Sequence, residues 1–180
     1  MQTTVDGFVA GPNGELDWMT GWDSDDELKK AETELIDSSE TLLMGRKMTD
    51  EFVSTWTKAA ENSDSPDNAF AKKMVDVPKV VFTKTLDESP WANTTLAKGD
   101  LVEEVNRRKN ESGKDILVYG GANFVSSLIK ENLIDEYNFF VNPAAIGNGM
   151  TIFEGKFGLT LVKSHAFDSG VILQRYEPKR

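Results

Sequence analysis

Two glycine signals, each set between an apolar run and an amphipathic stretch, constrain this chain most. The first is Leu42-Leu43-Met44-Gly45-Arg46-Lys47, and the second is Ile116-Leu117-Val118-Tyr119-Gly120-Gly121-Ala122. Each reads as a buried strand, a tight glycine turn and then a helix. A helix that starts at such a turn aims unpaired N–H groups and its positive dipole end at it. That makes an anion site, most often used for phosphate. Two such sites in one small chain suit a ligand with two separated phosphate groups, and a dinucleotide fits. The plainer alternative for either turn alone is that glycine eases the passage from strand to helix. Neither stretch carries the full G-x-G-x-x-G or P-loop pattern.

The rest of the chain alternates in the same way. A short strand is expected at Thr3 to Val5, followed by a turn-rich stretch from Asp6 to Glu15. Ser24 and Glu27 form a capping-box pattern ahead of a helix near Asp25 to Ser38, with Leu28, Ala31, Leu35 and Ile36 as its buried stripe. A strand follows at Thr41 to Met44, then a helix from Arg46 to Lys58 with Met48, Phe52 and Trp56 on one face. Ala59 to Asp76 reads as a polar loop with a helical turn at Ala69 to Met74. Strands are expected at Lys79 to Thr83, Thr94 to Ala97, Ile116 to Tyr119 and Asp135 to Asn142. Asp100 and Glu103 cap a helix near Leu101 to Glu111, and another helix spans Ala122 to Glu131. Leu159 to Phe167 and Val171 to Tyr176 alternate around Asp168-Ser169-Gly170 and predict a terminal β-hairpin. At 180 residues without a linker or repeat, the chain is expected to be one domain over 1–180. Alternating strands and helices closed by an antiparallel hairpin predict an α/β sandwich with a mixed sheet.

Composition narrows the chemistry. The chain has no cysteine, which excludes disulfides, thiolate metal sites and cysteine nucleophiles. One histidine, His165, cannot build a histidine-rich metal centre, and its place in a strand-like run suits a structural or surface role. The formal net charge of −10 argues against nucleic-acid partners and against anionic membrane surfaces. No apolar run approaches the length of a membrane span, so a cytoplasmic protein is the default expectation. A phosphorylated ligand would need cations placed locally, and Arg46, Lys47 and Lys84 stand beside the glycine or strand-end positions. Solvated surface charge is the commoner fate of each.

Five segments in order carry a resemblance. They are Asp6-Gly7-Phe8-Val9-Ala10-Gly11 with Gly14-Glu15-Leu16-Asp17-Trp18; Leu43-Met44-Gly45-Arg46-Lys47-Met48; Lys79-Val80-Val81-Phe82-Thr83-Lys84-Thr85-Leu86; Val118-Tyr119-Gly120-Gly121-Ala122; and Leu133-Ile134-Asp135-Glu136 with Pro143, Gly147 and Gly149. With them the chain resembles the dihydrofolate-reductase-like superfamily and, within it, the RibD C-terminal reductase family tied to riboflavin biosynthesis. Few residues precede Asp6-Gly7, where relatives carry a fuller first strand, so the expectation is either a short first strand or a natural start upstream of Met1.

The resemblance implies a dihydrofolate-reductase-like three-layer sandwich: a mixed, mostly parallel sheet flanked by helices, with a C-terminal antiparallel β-hairpin. It implies NADPH across the strands' carboxyl ends. Gly120, Gly121, Ala122 and Asn123 would serve the pyrophosphate. Gly45, Arg46, Lys47, Thr83 and Lys84 would surround the adenosine and its 2′-phosphate, and Val9 and Ala10 would meet the nicotinamide carboxamide through their backbone. Trp18 and Trp22 would form a wall for a small, flat substrate. Relatives that reduce folates place a carboxylate on the first helix; here Asp25, Asp26 and Glu27 suit a dipole role at the helix start better, and Asp17 in the cleft loop is the candidate proton donor. The implied activity is hydride transfer to a heterocyclic, imine or carbonyl carbon, as in 5-amino-6-(5-phosphoribosylamino)uracil reductase or dihydrofolate reductase. A homodimer is implied as well. A different class of function, a non-catalytic dinucleotide-binding or dimerising module of the same fold, is the alternative.

Overall fold

The computed structural model describes residues 1–19, 25–111 and 113–179. In chain order the elements are β1 (Gln2–Thr4), α1 (Asp26–Ser38), β2 (Ser39–Gly45), α2 (Arg46–Glu61), α3 (Asn68–Asp76), β3 (Lys79–Phe82), β4 (Thr94–Ala97), α4 (Leu101–Glu111), β5 (Asp115–Gly120), α5 (Ala122–Lys130), β6 (Tyr137–Asn142), β7 (Leu159–Ala166) and β8 (Ile172–Pro178). They divide into two compact units: a middle unit of residues 31–121, and a terminal unit of residues 1–30 with 122–180. This is the α/β architecture that the alternation predicts, with one parallel sheet and one mixed sheet ending in an antiparallel hairpin. Among the described residues, no helix is long and apolar enough to cross a membrane.

The middle unit holds four strands in the order β4-β3-β2-β5, every neighbouring pair parallel. Leu42, Leu43 and Met44 are buried in succession on β2, and Val80 and Val81 on β3. Unbroken burial is what a parallel sheet covered on both faces requires. Ile36, Leu42, Met44, Phe52, Met74 and Val81 form the core, with Trp56, Phe70 and Tyr119 packed against it. Phe52 meets Trp56 and Tyr119 edge-on, and Trp56 meets Phe70 in the same way.

The stretch read as a polar loop contains a full helix, α3. Its Ala71 and Met74 are buried, so tertiary packing overrides a polar local sequence. Asn68 joins α3 to the end of α2, where its amide nitrogen donates to the carbonyls of Ala59 (3.3 Å), Ala60 (2.8 Å) and Asn62 (3.0 Å). Lys79 opens β3 although it is 3% exposed. Its Nζ donates to the carbonyls of Val75 (2.7 Å) and Val77 (2.8 Å) at the end of α3, and burial pushes its pKa down to about 8. α4 starts as predicted, with Asp100 Oδ1 accepting from the N–H groups of Val102 (2.9 Å) and Glu103 (3.1 Å).

The terminal unit holds the order β1-β6-β8-β7. β1 is short and pairs in parallel with β6, whereas β6–β8 and β8–β7 are antiparallel. On this sheet and the segment after it, Tyr137, Phe139, Phe153, Phe157 and Tyr176 form a connected aromatic cluster. β7 is the edge strand and largely exposed along its length, with Leu161 at 52% and Val162 at 48%. α1 is capped by Asp25, whose Oδ1 accepts from Leu28 N–H (3.0 Å); Ser24, the cap expected from sequence, lies outside the described residues. The other carboxylate oxygen of Asp25 accepts from Ser169 N–H (2.9 Å), so this residue ties the helix start to the β7–β8 turn. Those backbone donors hold its pKa below the usual carboxylate value. Asp25 therefore performs a structural task, consistent with the dipole reading. His165 on β7 stands 3.1 Å from Glu27 and edge-on to Phe167, also a structural placement.

Candidate active site

In the parallel sheet, the two glycine signals become neighbours. Gly45 ends β2 and Gly120 ends β5, and Met44 is registered against Gly120 while Gly45 is registered against Phe82. Phe82 in turn faces Ala97 at the end of β4. The carboxyl ends of four parallel strands therefore form one edge, with Thr83 immediately beyond it. In open parallel α/β sheets, ligands bind outside this edge. Segments separated by some 75 residues of chain are joined by register alone, as Met44 and Gly120 illustrate.

Gly45 is the N-cap of α2, in extended conformation (φ −80°, ψ 144°), and makes no side-chain cap bond. The first turn of α2 contains no acidic residue. It begins instead with Arg46 and Lys47, cations placed against the usual dipole preference. Lys47 is exposed. Arg46 is not a loose surface charge: its Nη1 lies 3.0 Å from Asp50 Oδ2, and its guanidinium carbon sits 5.1 Å from the centre of the Trp91 ring. Trp91 Nε1–H donates to the other Asp50 oxygen at 3.1 Å, which closes a three-residue ring of contacts. Asp50 and Trp91 escaped the sequence reading. They are 41 residues apart, and no local pattern links them.

Thr83 is buried, and its hydroxyl oxygen accepts from the N–H groups of Thr85 (3.2 Å) and Leu86 (3.3 Å). Its side chain thus builds the turn after β3, and its main chain lies at the strand-end edge. Lys84 beside it is exposed. At the end of β5, the Gly120–Gly121 peptide is cis and Gly120 has φ +151°. A Cβ on Gly120 would meet Met48 Sδ at 3.0 Å, whereas one on Gly121 would find nothing nearer than 3.8 Å. Glycine at 120 is therefore demanded by the backbone of this chain. At 121 there is room for a side chain. Ala122 and Asn123 are the first two residues of α5.

The remaining sequence candidates lie on the loop after β1, in the terminal unit. Asp6 anchors its start, accepting from the N–H groups of Ile146 (3.1 Å) and Gly147 (2.8 Å). Hydrogen bonds from Thr4 and Gly147 hold the Asp6 carboxyl below its ordinary pKa. Val9 and Ala10 are buried. Val9 N–H donates to Met150 O (2.9 Å) and Met150 N–H donates to Ala10 O (2.8 Å). A side chain at Gly149 would strike that same Ala10 oxygen at 2.3 Å, so glycine is required there. Glu15 organises the loop tip, accepting from Asn13 N–H (2.9 Å) and Asn13 Nδ2 (2.7 Å). Those bonds hold its carboxyl below the ordinary value, which excludes it as a raised-pKa proton donor. Asp17 is exposed. Trp18 is buried, and its indole N–H donates to Glu15 O at 3.2 Å, so it fixes the loop. Trp22 lies outside the described residues.

The middle unit's strand-end edge offers a helix start without a side-chain cap, a glycine with free space, and an arginine held by Asp50 and Trp91. Comparisons with known proteins give the family. The RibD C-terminal domain model matches residues 1–173. Uncharacterized protein YyaP of Bacillus subtilis (strain 168) is 31% identical over 177 residues, which covers 96% of this chain and 89% of the relative. A crystal structure from Shewanella sp. PV-4, of a protein provisionally ascribed to riboflavin biosynthesis, superposes with a TM-score of 0.76 at 25% identity, covering 100% of this chain and 97% of that one. A diaminohydroxyphosphoribosylaminopyrimidine deaminase/5-amino-6-(5-phosphoribosylamino)uracil reductase from Thermotoga maritima shares the fold, with a TM-score of 0.67 at 18% identity; it covers 99% of this chain and 55% of that longer one.

Proposed function

Because this chain belongs to the RibD C-terminal domain family, we propose that it is an NADPH-dependent reductase. In this reading it passes a hydride to the C=N or C=O carbon of a small heterocyclic, imine or carbonyl substrate. The observation that supports it best is the register that sets Gly45 and Gly120 at the ends of adjacent parallel strands, with Thr83 beside them. When bound, NADPH supplies the hydride, and the protein's part is position and electrostatics. The first-turn N–H groups of α2 and the Arg46 guanidinium receive phosphate oxygens of the adenosine half, with Lys47 and Lys84 adding charge nearby. The Gly120–Gly121 turn lets main chain approach the pyrophosphate, and α5 begins there with Ala122 and Asn123. Val9 and Ala10, whose N–H and carbonyl respectively are engaged with Met150, are the backbone groups proposed for a carboxamide. The substrate atom that gains negative charge takes its proton from Asp17 or from a bound water.

The chain works in the cytoplasm as a homodimer through β7 and β8 in this reading. The exposed edge strand also favours the second possibility, a dimerising module that kept the fold and lost the chemistry. Loss of nicotinamide absorbance in the presence of a substrate panel separates the two.

Cofactor choice tests the reading directly. NADPH differs from NADH by a 2′-phosphate, and a hydrogen bond to a charged group contributes ~1.5–3 kcal/mol. Arg46→Ala is expected to weaken NADPH by roughly tenfold to a hundredfold and to leave NADH nearly unchanged. Fluorescence titration of both cofactors into both proteins measures this. Equal wild-type affinity for NADH and NADPH would refute the reading.

A further inference from the structure

Arginine side chains lose several rotatable bonds' worth of freedom when they grip a ligand, and a guanidinium already held in place loses less. Arg46 is held in two ways. Asp50 Oδ2 engages Nη1 at 3.0 Å, and the guanidinium carbon lies over the Trp91 ring, 5.1 Å from its centre. The holders are themselves held. Asp50 Oδ1 accepts the Trp91 indole N–H at 3.1 Å, Trp91 packs against the core of the middle unit, and its backbone N–H donates to Ser89 Oγ at 3.2 Å. Asp50 takes a single nitrogen of the fork, so the Nε/Nη2 edge stays available for a second, planar, bidentate partner such as a phosphate. The ion pair alone does not explain this arrangement. In its order, cation first and anion four residues later at a helix start, it is the less favourable one for the helix, and an exposed pair of this kind adds little stability.

We propose that Asp50 and Trp91 are positioning residues that fix the Arg46 fork for the 2′-phosphate of NADPH and so set the preference over NADH. This rests on the cofactor reading above and adds the pair that makes Arg46 selective. Asp50 costs some repulsion toward the incoming dianion. That cost is small because its carboxylate is 65% exposed to screening water, while the orientation it enforces applies to the whole fork.

Titration of NADPH and NADH into wild type, Asp50→Ala, Asp50→Asn and Trp91→Phe tests the proposal. Immobilising one long side chain accounts for roughly twofold to tenfold in affinity. Asp50→Ala is therefore expected to weaken NADPH by that factor and leave NADH unchanged. Asp50→Asn keeps an acceptor for Arg46 and is expected to restore most of the loss. Trp91→Phe keeps the ring and the core packing but loses the indole donor, and is expected to fall between them. A second readout needs no cofactor: NMR relaxation of the Arg46 Nε–H group should report a rigid side chain in wild type and a mobile one in Asp50→Ala. An NADPH-over-NADH preference that is undiminished in Asp50→Ala, or an NADPH affinity that rises in it, overturns this inference alone. A wild type that binds both cofactors equally overturns the cofactor reading and this inference with it.

Discussion

The two sheets of this molecule are both four strands wide, yet they offer different surfaces. In the middle unit every strand runs the same way, so all four carboxyl ends fall on one edge and each is followed by a turn. In the terminal unit β1 and β6 are parallel while β8 and β7 alternate in direction, so carboxyl ends are divided between opposite edges. The parallel sheet gathers turns from distant parts of the chain. The mixed sheet ends instead in a long, exposed strand whose backbone edge is open. Direction of pairing, more than residue content, decides which sheet gathers its strand-end turns on one edge and which ends in an exposed strand.

The sharpest way to break that comparison is to replace one apolar residue in each sheet. Leu42 is fully buried on β2, and Leu42→Ala is expected to cost about 2–5 kcal/mol. Val162→Lys on β7 is expected to change folding stability by no more than about 0.5 kcal/mol, and to shift any dimer toward monomer. Urea unfolding and light scattering read the two effects, and equal destabilisation would erase the distinction.

Lys79 sharpens the picture of the middle unit. Its folded pKa of about 8 lies below the ordinary 10.5, so between these values the unfolded chain binds more protons. Stability contributed at this position is therefore expected to rise as pH increases from about 8 to 10.5. Below that window the buried ammonium carries its full penalty, at most about 3 kcal/mol before solvent screening. Lys79→Met is expected to flatten the rise, as measured by the difference in urea midpoint between variant and wild type across that range.

The two glycines at the end of β5 give the cleanest separation of fold from function. Gly120→Ala forces a side chain onto φ +151° and against Met48, and is expected to cost about 1–3 kcal/mol. Gly121→Ala has space, so its thermal midpoint is expected to stay near wild type while NADPH affinity falls about tenfold, as for loss of one close phosphate contact. Retained affinity in Gly121→Ala would mean that the turn serves the fold alone.

Much of this was legible before any coordinates. The bounds of β4 and α4 are those the sequence predicts, because Thr94 to Ala97 is a bounded strand and Asp100 announces its helix chemically. α2 runs to Glu61, beyond the expected Lys58, since Ala59, Ala60 and Glu61 are all good helix formers. α3 was legible only as a turn because its evidence is burial of Ala71 and Met74, which a polar sequence conceals. At the site, Gly45, Arg46 and Gly120 announce themselves by their place after apolar runs. Asp50 and Trp91 do not, because their relation to Arg46 exists only once β3, β4 and the loop between them bring Trp91 back to the start of α2. Thr83 was legible as a position, whereas the engagement of its hydroxyl by the N–H groups of Thr85 and Leu86 was not.

That engagement has an evolutionary consequence. A contact made through main chain is inherited with the shape of a loop, and it leaves no preferred amino acid as a signature. Serine at position 83 is expected to keep the acceptor for Thr85 and Leu86, and valine, equal in size, to lose it. A catalogue of tolerated substitutions at this position would look like that of any surface turn. Distant members of such a family can thus keep the same strand-end contact while sharing almost no letters around it, and a search for matching residues would pass it by.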